Sequence, residues 1–136
     1  MLNNLQNPLA LLGRILLAVL FIMSGFNKIS GFEGTVGYIA SKGLPLPQLG
    51  AIIAIVVEFG GGLLILVGFQ TRYVALVMAI FTLAAGVFFH NFWALPPAQV
   101  QNMFIHFWKN VSIAGGFLML AAFGPGTISV DGRRRV

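Results

Sequence analysis

The fold of this chain is decided by residues 49–67, LGAIIAIVVEFGGGLLILV. These nineteen residues, apolar except for one, approach the ~20 that a helix needs to cross a bilayer. A single carboxylate, Glu58, stands at the centre of the stretch. A charged side chain at the bilayer centre is costly unless it faces protein or water, and it marks a functional site by default. The stretch therefore predicts a membrane helix and identifies Glu58 as the first candidate site residue.

The composition agrees with an integral membrane protein. Hydrophobic residues make up 58% of the chain and charged residues only 8%, whereas soluble domains carry about 25% charged residues. The absence of cysteine excludes a disulfide framework, a dithiol redox pair, iron–sulfur ligation and thiolate zinc sites. The net charge of +5 does not indicate nucleic-acid binding, because the basic residues are scattered except at residues 133–135. An Arg cluster after the last membrane helix favours a cytoplasmic anchor beside anionic lipid.

Four apolar stretches are separated by polar or Pro- and Gly-rich segments, at about residues 9–26, 49–67, 73–93 and 104–123. They predict a single all-α domain over residues 1–136, an integral membrane four-helix bundle. The first stretch lacks the basic start and cleavage pattern of a signal peptide, so it is interpreted as a mature helix. Arg72 and residues 133–135 lie on the side of the termini, while Lys28 and Lys42 lie on the other. This imbalance predicts that both termini are cytoplasmic.

Each predicted helix places its polar residues on the same face as its small residues, and that face should point into the bundle. An aromatic belt is expected at the outer interface, formed by Phe89, Phe92, Trp93, Phe104, Phe107 and Trp108. In the first loop, Phe32, Val36 and Ile39 have helical spacing. We expect a short interfacial helix over residues 32–40 that covers the mouth of the bundle and is ended by Pro45 and Pro47.

Glu58 needs a partner if it is ionised. Counted along the helices, Arg14 lies ~7 Å nearer the cytoplasm and Lys109 a similar distance nearer the outside. We expect an Arg14–Glu58 pair, because a guanidinium is the best partner for a buried carboxylate, and Lys109 stays open as the other partner within reach. Two alternatives stay open: the pair only fixes helix packing, or Glu58 is protonatable in a wet cavity.

A second group of polar residues gathers near the outer helix ends: Lys28, His90, His106, Lys109 and Asn110. With the neighbouring aromatic residues they could bind an anionic or quinone-like head group. The two histidines also suggest bis-His haem ligation, but their place at the membrane edge disfavours haem. No catalytic triad, phosphate loop or metal-ligand spacing is found in the sequence. Glu33 and Asp131 are interpreted as solvated.

These residues also carry a family resemblance. Residues 13–29, GRILLAVLFIMSGFNKI, resemble the opening motif of the DoxX family, and residues 58–63, 71–72, 90–93 and 109–116 resemble its later blocks in order. Residues 124–131, GPGTISVD, resemble its closing stretch, with Val130 where a Leu is expected. The resemblance covers nearly the whole chain, and length and composition are similar to the small YqjF/YphA-type members. It implies a multi-pass protein of the bacterial inner membrane, in a family in which some members are associated with quinone-linked thiosulfate oxidation or membrane redox defence.

Three functions follow as hypotheses. The first is an accessory subunit, not catalytic alone, that binds a lipophilic ligand such as quinone and docks a redox partner protein. The second is a small-molecule or proton-coupled permease with Glu58 as its mid-membrane site. The third is a structural membrane protein without a ligand. The bilayer is the expected environment, homo-oligomerisation is open, and nucleic acid is not an expected partner.

Overall fold

The computed structural model describes residues 2–134, which are helical throughout apart from short connections. Helix α1 covers Gln6–Ser30 and follows a 3₁₀ turn at Leu2–Leu5; α2 covers Phe32–Ser41 and α3 covers Pro47–Ile55. A π-helical segment, Val56–Gly60, joins α3 to α4 at Gly61–Val67. Helix α5 covers Thr71–Phe89, a 3₁₀ turn covers Phe92–Ala94, α6 covers Pro97–Phe123 and α7 covers Val130–Arg133.

Within this described range, four helices are long and apolar enough to cross a membrane: Leu2–Ser30, Pro47–Val67, Thr71–Ala94 and Pro97–Phe123. The four predicted spans are therefore confirmed as helices. The first, second and fourth extend beyond the apolar stretches, whereas α5 ends at Phe89, before the predicted residue 93. Pro47 and Pro97 occupy first-turn positions, where the missing N–H costs no hydrogen bond. Four crossings bring both termini to one face of the bundle, called here the terminal face. The opposite face, with α2 and the α5–α6 connection, is called the distal face.

The short helix in the first loop is also confirmed, at Phe32–Ser41. Its expected end is wrong. The helix stops before Gly43, which has a φ of +72°, a left-handed conformation that glycine adopts without steric penalty. Pro47 does not end this helix but begins α3.

Small residues bring α1 against the second span, as expected for helices that associate in lipid by close packing. A Cβ atom on Gly25 would lie 2.6 Å from the backbone nitrogen of Phe59, and one on Gly62 would lie 3.2 Å from the backbone nitrogen of Ile22. These two contacts fix the antiparallel register of the two spans. The predicted inward faces are confirmed for most of their small residues, whereas Ala10 and Ala121 are only half-buried. The buried ones are Ala18, Gly25, Ala51, Ala54, Gly61, Gly62, Ala75, Ala79, Gly86 and Ala114.

Candidate functional site

Glu58 is buried, as predicted, with 8% of its surface exposed. It lies inside the π-helical segment Val56–Gly60. A π-helical turn inserts an extra residue into the ladder of backbone hydrogen bonds and occurs frequently at functional sites. The turn changes the direction of the side chains that follow it, so the position of Glu58 is not the one that a continuous α-helix would give.

The partner of Glu58 is Lys28. Its ammonium Nζ lies 2.9 Å from Glu58 Oε2 and donates a hydrogen bond of 2.8 Å to the hydroxyl of Ser24, one helical turn earlier. Since an ammonium group has three donors, one remains available after these two contacts. The Lys28 side chain keeps 28% of its surface exposed, so that donor is accessible from the cavity described below.

The expected Arg14–Glu58 pair is wrong. The reason is the register fixed by Gly25, which places Lys28 beside Glu58. Arg14 is fourteen residues before Lys28 on α1, which is about 21 Å along the helix axis. Sequence reasoning counted depth from the ends of the apolar stretches and could not see this register.

Arg14 instead closes the terminal face. It is 1% exposed, and its Nη2 donates a hydrogen bond to the carbonyl of Ile128. A Cβ atom at position 68 would overlap the guanidinium, so only glycine fits there. Within residues 2–134, Nε and Nη1 of Arg14 have no hydrogen-bond partner, and Asp131 supplies the nearby negative charge.

The segment of residues 124–134, called here the terminal cap, folds back over this face. The Asp131 carboxylate accepts hydrogen bonds from the backbone nitrogens of Gln70 and Thr71 at 2.9 and 2.8 Å and from the Thr71 hydroxyl at 2.8 Å. Asn7 Oδ1 accepts the backbone N–H of Thr127 at 2.9 Å. The interpretation of Asp131 as a solvated residue is therefore wrong. Arg133 and Arg134 lie on this face, while Arg135 lies outside the described residues.

The electrostatics of Asp131 follow from these contacts. Burial alone raises the pKa of its carboxyl group, but the hydrogen bonds from Thr71 and Gln70, together with the charge of Arg134, outweigh burial and lower the pKa below its ordinary value. Three of these contacts lie at the amino end of α5, where a negative charge also meets the positive end of the helix dipole.

A cavity of about 930 Å³ occupies the distal half of the bundle. Its walls come from α1, α2, α3, α5 and α6, and α2 covers it. The lining is mainly apolar, with polar groups at a few points: Ser24, Asn27, Lys28, Thr35, Tyr38, Glu58, Thr82, His90 and Asn110. The Lys28–Glu58 pair thus forms a polar patch in a largely apolar chamber.

Four of the seven predicted site residues line this cavity: Lys28, Glu58, His90 and Asn110. Asn110 donates a hydrogen bond of 3.1 Å to the carbonyl of Thr82, which ties α6 to α5. The other three, Arg14, His106 and Lys109, are not in the lining. Sequence reasoning missed Ser24, although its spacing of four residues before Lys28 is a signal that places both on one helix face.

The two histidines do meet, but as a stack. The rings of His90 and His106 have centroids 5.2 Å apart and planes 26° apart. Axial ligands of a haem approach the iron from opposite sides with their nitrogens, and two stacked rings do not have that arrangement. Groups of three or more metal-ligating side chains are not found within the described part of the chain.

The predicted aromatic belt forms a contact network at the distal end. Phe92 contacts Trp93, Phe104 and Phe107 edge to face, with centroids 5.0–5.6 Å apart. Trp108 contacts Phe104 and Phe107. Phe89 instead stacks on Tyr38 of α2 at 5.5 Å, which attaches the covering helix to the end of α5.

Fold and site together define a class: an integral membrane protein of four spanning helices with an ion pair facing a chamber inside the bundle. The DoxX family model matches residues 9–91, from α1 to the end of α5. The chain belongs to the DoxX family.

Its relatives include two proteins of Escherichia coli strain K12. "Inner membrane protein YphA" is 49% identical over 125 residues, 92% of this chain and 89% of the relative. "Inner membrane protein YqjF" is 45% identical over 130 residues, 95% of this chain and 94% of the relative. "Putative oxidoreductase CatD" of Bacillus subtilis strain 168 is 33% identical over 75 residues, 55% of this chain and 54% of the relative. No solved structure matches the chain. The chain is a multi-pass inner membrane protein.

Proposed function

We propose that this protein binds an uncharged lipophilic ligand, a quinone in the first place, in the distal cavity, as an accessory subunit of a membrane redox or stress-response complex. The observation that carries the proposal is the Lys28–Glu58 ion pair in the wall of a mainly apolar chamber of about 930 Å³. Cavities that hold small molecules have volumes of about 300–1,000 Å³ and combine apolar walls with a few well-placed polar groups.

The charge of the site favours a neutral head group. Lys28 and Glu58 carry opposite charges and lie 2.9 Å apart, so the pair is neutral as a whole. An anionic ligand would compete with Glu58 for the ammonium group and leave the carboxylate without a partner, which is expensive inside a membrane. A neutral ligand can bind without breaking the pair.

The hydrogen-bonding groups fit a quinone or quinol ring. The third donor of Lys28 can bond to a ring carbonyl, and the Glu58 carboxylate can accept a hydrogen bond from a ring hydroxyl. His90 and Asn110 add polar groups elsewhere on the lining. Both the quinone and the quinol form of such a ring therefore find a hydrogen-bonding partner at the same ion pair, so the site can bind either form.

An accessory role is supported by the composition of the chain and by the name of one relative. A thiol redox step in this subunit is excluded by the absence of cysteine. The name of the CatD relative contains the word oxidoreductase, which favours a redox setting for this chain as well. In that setting a partner protein supplies the electrons and the cavity holds the ligand.

A permease with Glu58 as its mid-membrane site is the second candidate. It is favoured by the burial of an acid in the middle of a span. A permease also needs a path to the opposite face, and here the terminal cap and the buried Arg14 close that face. A structural protein without a ligand is the third candidate.

We also propose that the terminal face is cytoplasmic. Arg72, Arg133 and Arg134 lie on it, and cytoplasmic segments of membrane proteins carry an excess of Arg and Lys. The cavity and its covering helix α2 then lie toward the periplasm.

The test is to incubate the protein with ubiquinone in mild detergent, remove free lipid and quinone by size-exclusion chromatography, and measure the quinone retained per protein by extraction and chromatography. We expect near-unit retention for the wild type and at least a fivefold loss for Lys28→Gln. Lys109→Gln is the matched control, because Lys109 is exposed and lies outside the cavity lining, and it should retain quinone. Absence of retained quinone in the wild type would overturn the proposal, and a pH-driven flux of solute into vesicles would favour the permease.

A further inference from the structure

The packing of this bundle differs between its two halves. The buried apolar core lies in the terminal half, where all four spans meet. Phe21 and Phe117 contact edge to face there, with ring centroids 5.3 Å apart, and Met78 and Ile65 are fully buried in the same core. The distal half has no comparable core within the described residues, and the cavity occupies its place.

The opening of the distal half follows from the way the helices pair. Helix α1 packs along α3, the π-helical segment and α4, while α5 packs along α6. Helix α5 also contacts α4 and the π-helical segment, but α3 and α5 make no substantial backbone contact. The two spans are joined by the tight turn after Val67 and therefore diverge from the terminal face toward the distal face.

The wedge between α3 and α5 is lined by apolar side chains of different sizes. Its α3 wall carries Gly50, Ile53 and Ala54, and its α5 wall carries Ala84 and Ala85 between the larger Phe81 and Phe88, all of them part of the cavity lining. Ile53 is 49% exposed and points away from the buried face of α3 that carries Ala51. The wedge is apolar, continuous with the chamber that holds Lys28 and Glu58, and faces the hydrocarbon of the bilayer.

We propose that the ligand is a tailed amphiphile whose hydrocarbon chain leaves the cavity through the wedge between α3 and α5, so that it enters and leaves sideways from the bilayer. This inference rests on the proposed function, because the head group is placed at the Lys28–Glu58 pair. It specifies the ligand class further: a neutral, hydrogen-bonding ring or head group with a long apolar tail.

Other exits are less suitable. The distal end is covered by α2, where Ile39 is 6% exposed and approaches Gly50, while Tyr38 stacks on Phe89. The seam between α1 and α6 is also part of the lining, but its side chains, Leu20 and Ile113, are bulky, and these two helices retain backbone contact. The wedge is the side on which the two helices lack substantial backbone contact and Ala84 and Ala85 leave space between larger side chains.

The wedge should act as a steric selector rather than a source of affinity. A hydrocarbon tail in the bilayer is already in an apolar medium, so moving it against apolar side chains gains little hydrophobic free energy. Filling the wedge should therefore exclude ligands with tails while the head-group site still accepts a ring without one. This difference is what the experiment measures.

The test uses Ala85→Trp on one wall and Ile53→Trp on the other, with Leu83→Trp as the matched control. Leu83 is on the same helix, 40% exposed and outside the cavity lining. The probes are ubiquinone with its isoprenoid tail and the tailless ring 2,3-dimethoxy-5-methyl-1,4-benzoquinone. The first is measured as the quinone that stays with the detergent-purified protein after free lipid and quinone are removed, and the second by equilibrium dialysis. Far-UV circular dichroism and size-exclusion chromatography identify any variant that does not fold, and the other wall then provides the test.

We expect each wedge variant to lose at least tenfold in retention of the tailed quinone, with binding of the tailless ring within twofold of wild type and no change for Leu83→Trp. Unchanged retention of the tailed quinone in both wedge variants would overturn the wedge. Equal loss of both probes would also overturn it, since the introduced side chains would then fill the head-group site. Failure of the wild type to bind either probe would show that the proposed function itself is wrong, and the proposed exit of the tail through the wedge would then be refuted as well.

Discussion

Replacement of Lys28 and Glu58, singly and together, tests how much the ion pair contributes to the stability of the bundle. Glu58 is 8% exposed and Lys28 keeps 28% of its side chain exposed. Removing one partner of a fully buried pair costs about 3–5 kcal/mol. Because Lys28 is partly exposed to the cavity, we expect a smaller cost, about 1.5–3 kcal/mol for Lys28→Met or for Glu58→Gln.

The double variant distinguishes a pair from two independent residues. When both charges are removed, neither is left stranded, so the loss should be smaller than the sum of the single losses. We expect a coupling free energy of about 1–2 kcal/mol, well above the ~0.5 kcal/mol within which independent sites add. The measurement is reversible unfolding in mixed micelles with increasing sodium dodecyl sulfate, followed by far-UV circular dichroism. Lys109→Met is the matched control, since this exposed cation should change stability by less than about 0.5 kcal/mol.

Additive single losses would refute the reasoning, because they would show that Lys28 and Glu58 do not interact in the membrane. Single losses below about 0.5 kcal/mol would refute it as well, since a carboxylate without its partner could then be buried at no cost. Quinone retention measured on the same variants supplies a second reading. A Glu58→Gln protein of wild-type stability that no longer retains quinone would assign Glu58 to the ligand rather than to the packing.

The close approach of α1 to the second span predicts that Gly25→Ala destabilises the bundle by about 1–3 kcal/mol, because the new Cβ would lie 2.6 Å from the backbone nitrogen of Phe59. Gly115→Ala is the control: it has open space around it and should be neutral in the same unfolding assay. Asp131→Asn should destabilise the protein at pH 7 by about 1–2 kcal/mol through weakened hydrogen bonds to Thr71. Since the folded pKa of Asp131 is lowered, its stabilising effect is complete above the ordinary carboxyl pKa and is lost as the pH falls through the folded value. If the difference in free energy of unfolding between Asp131→Asn and wild type stayed constant down to that pH, the stabilising role of the Asp131 carboxylate would be contradicted. For the orientation, a phosphatase reporter that works only in the periplasm should be inactive at the C-terminus and active within the α1–α3 loop, and activity at the C-terminus would refute the proposed topology.

The spans and the loop helix could be predicted because their signals are local. An apolar stretch of sufficient length predicts a crossing, and the spacing of Phe32, Val36 and Ile39 predicts a helix. The ends were less accurate, since α1 begins at Gln6 and α6 at Pro97, where polar turns extend each helix beyond its apolar part. Hydropathy does not detect those turns.

The partner of Glu58 could not be predicted because it depends on register between helices. The sequence names Lys28 among the candidates but gives no measure of its depth relative to Glu58. That depth is set by the contact of Gly25 with Phe59 and by the π-helical turn, and neither has a reliable sequence signal. The terminal cap was missed for a similar reason: the hydrogen bonds of Asp131 to Thr71 join residues sixty positions apart, and a polar tail gives no sign of them.

The ion pair lies at the boundary between the two halves of the bundle, and this position links stability to binding. On one side of Glu58 the spans are held together by Phe21, Phe117 and the rest of the core, and on the other they diverge around the cavity. The Gly25 contact that brings α1 against the second span also places Lys28 beside Glu58. A ligand that bonds to this pair therefore lies beside the contact that fixes the crossing of the two spans. Ligand binding should consequently raise the free energy of unfolding of the wild type, and the same ligand should leave the stability of the Lys28→Met, Glu58→Gln double variant unchanged.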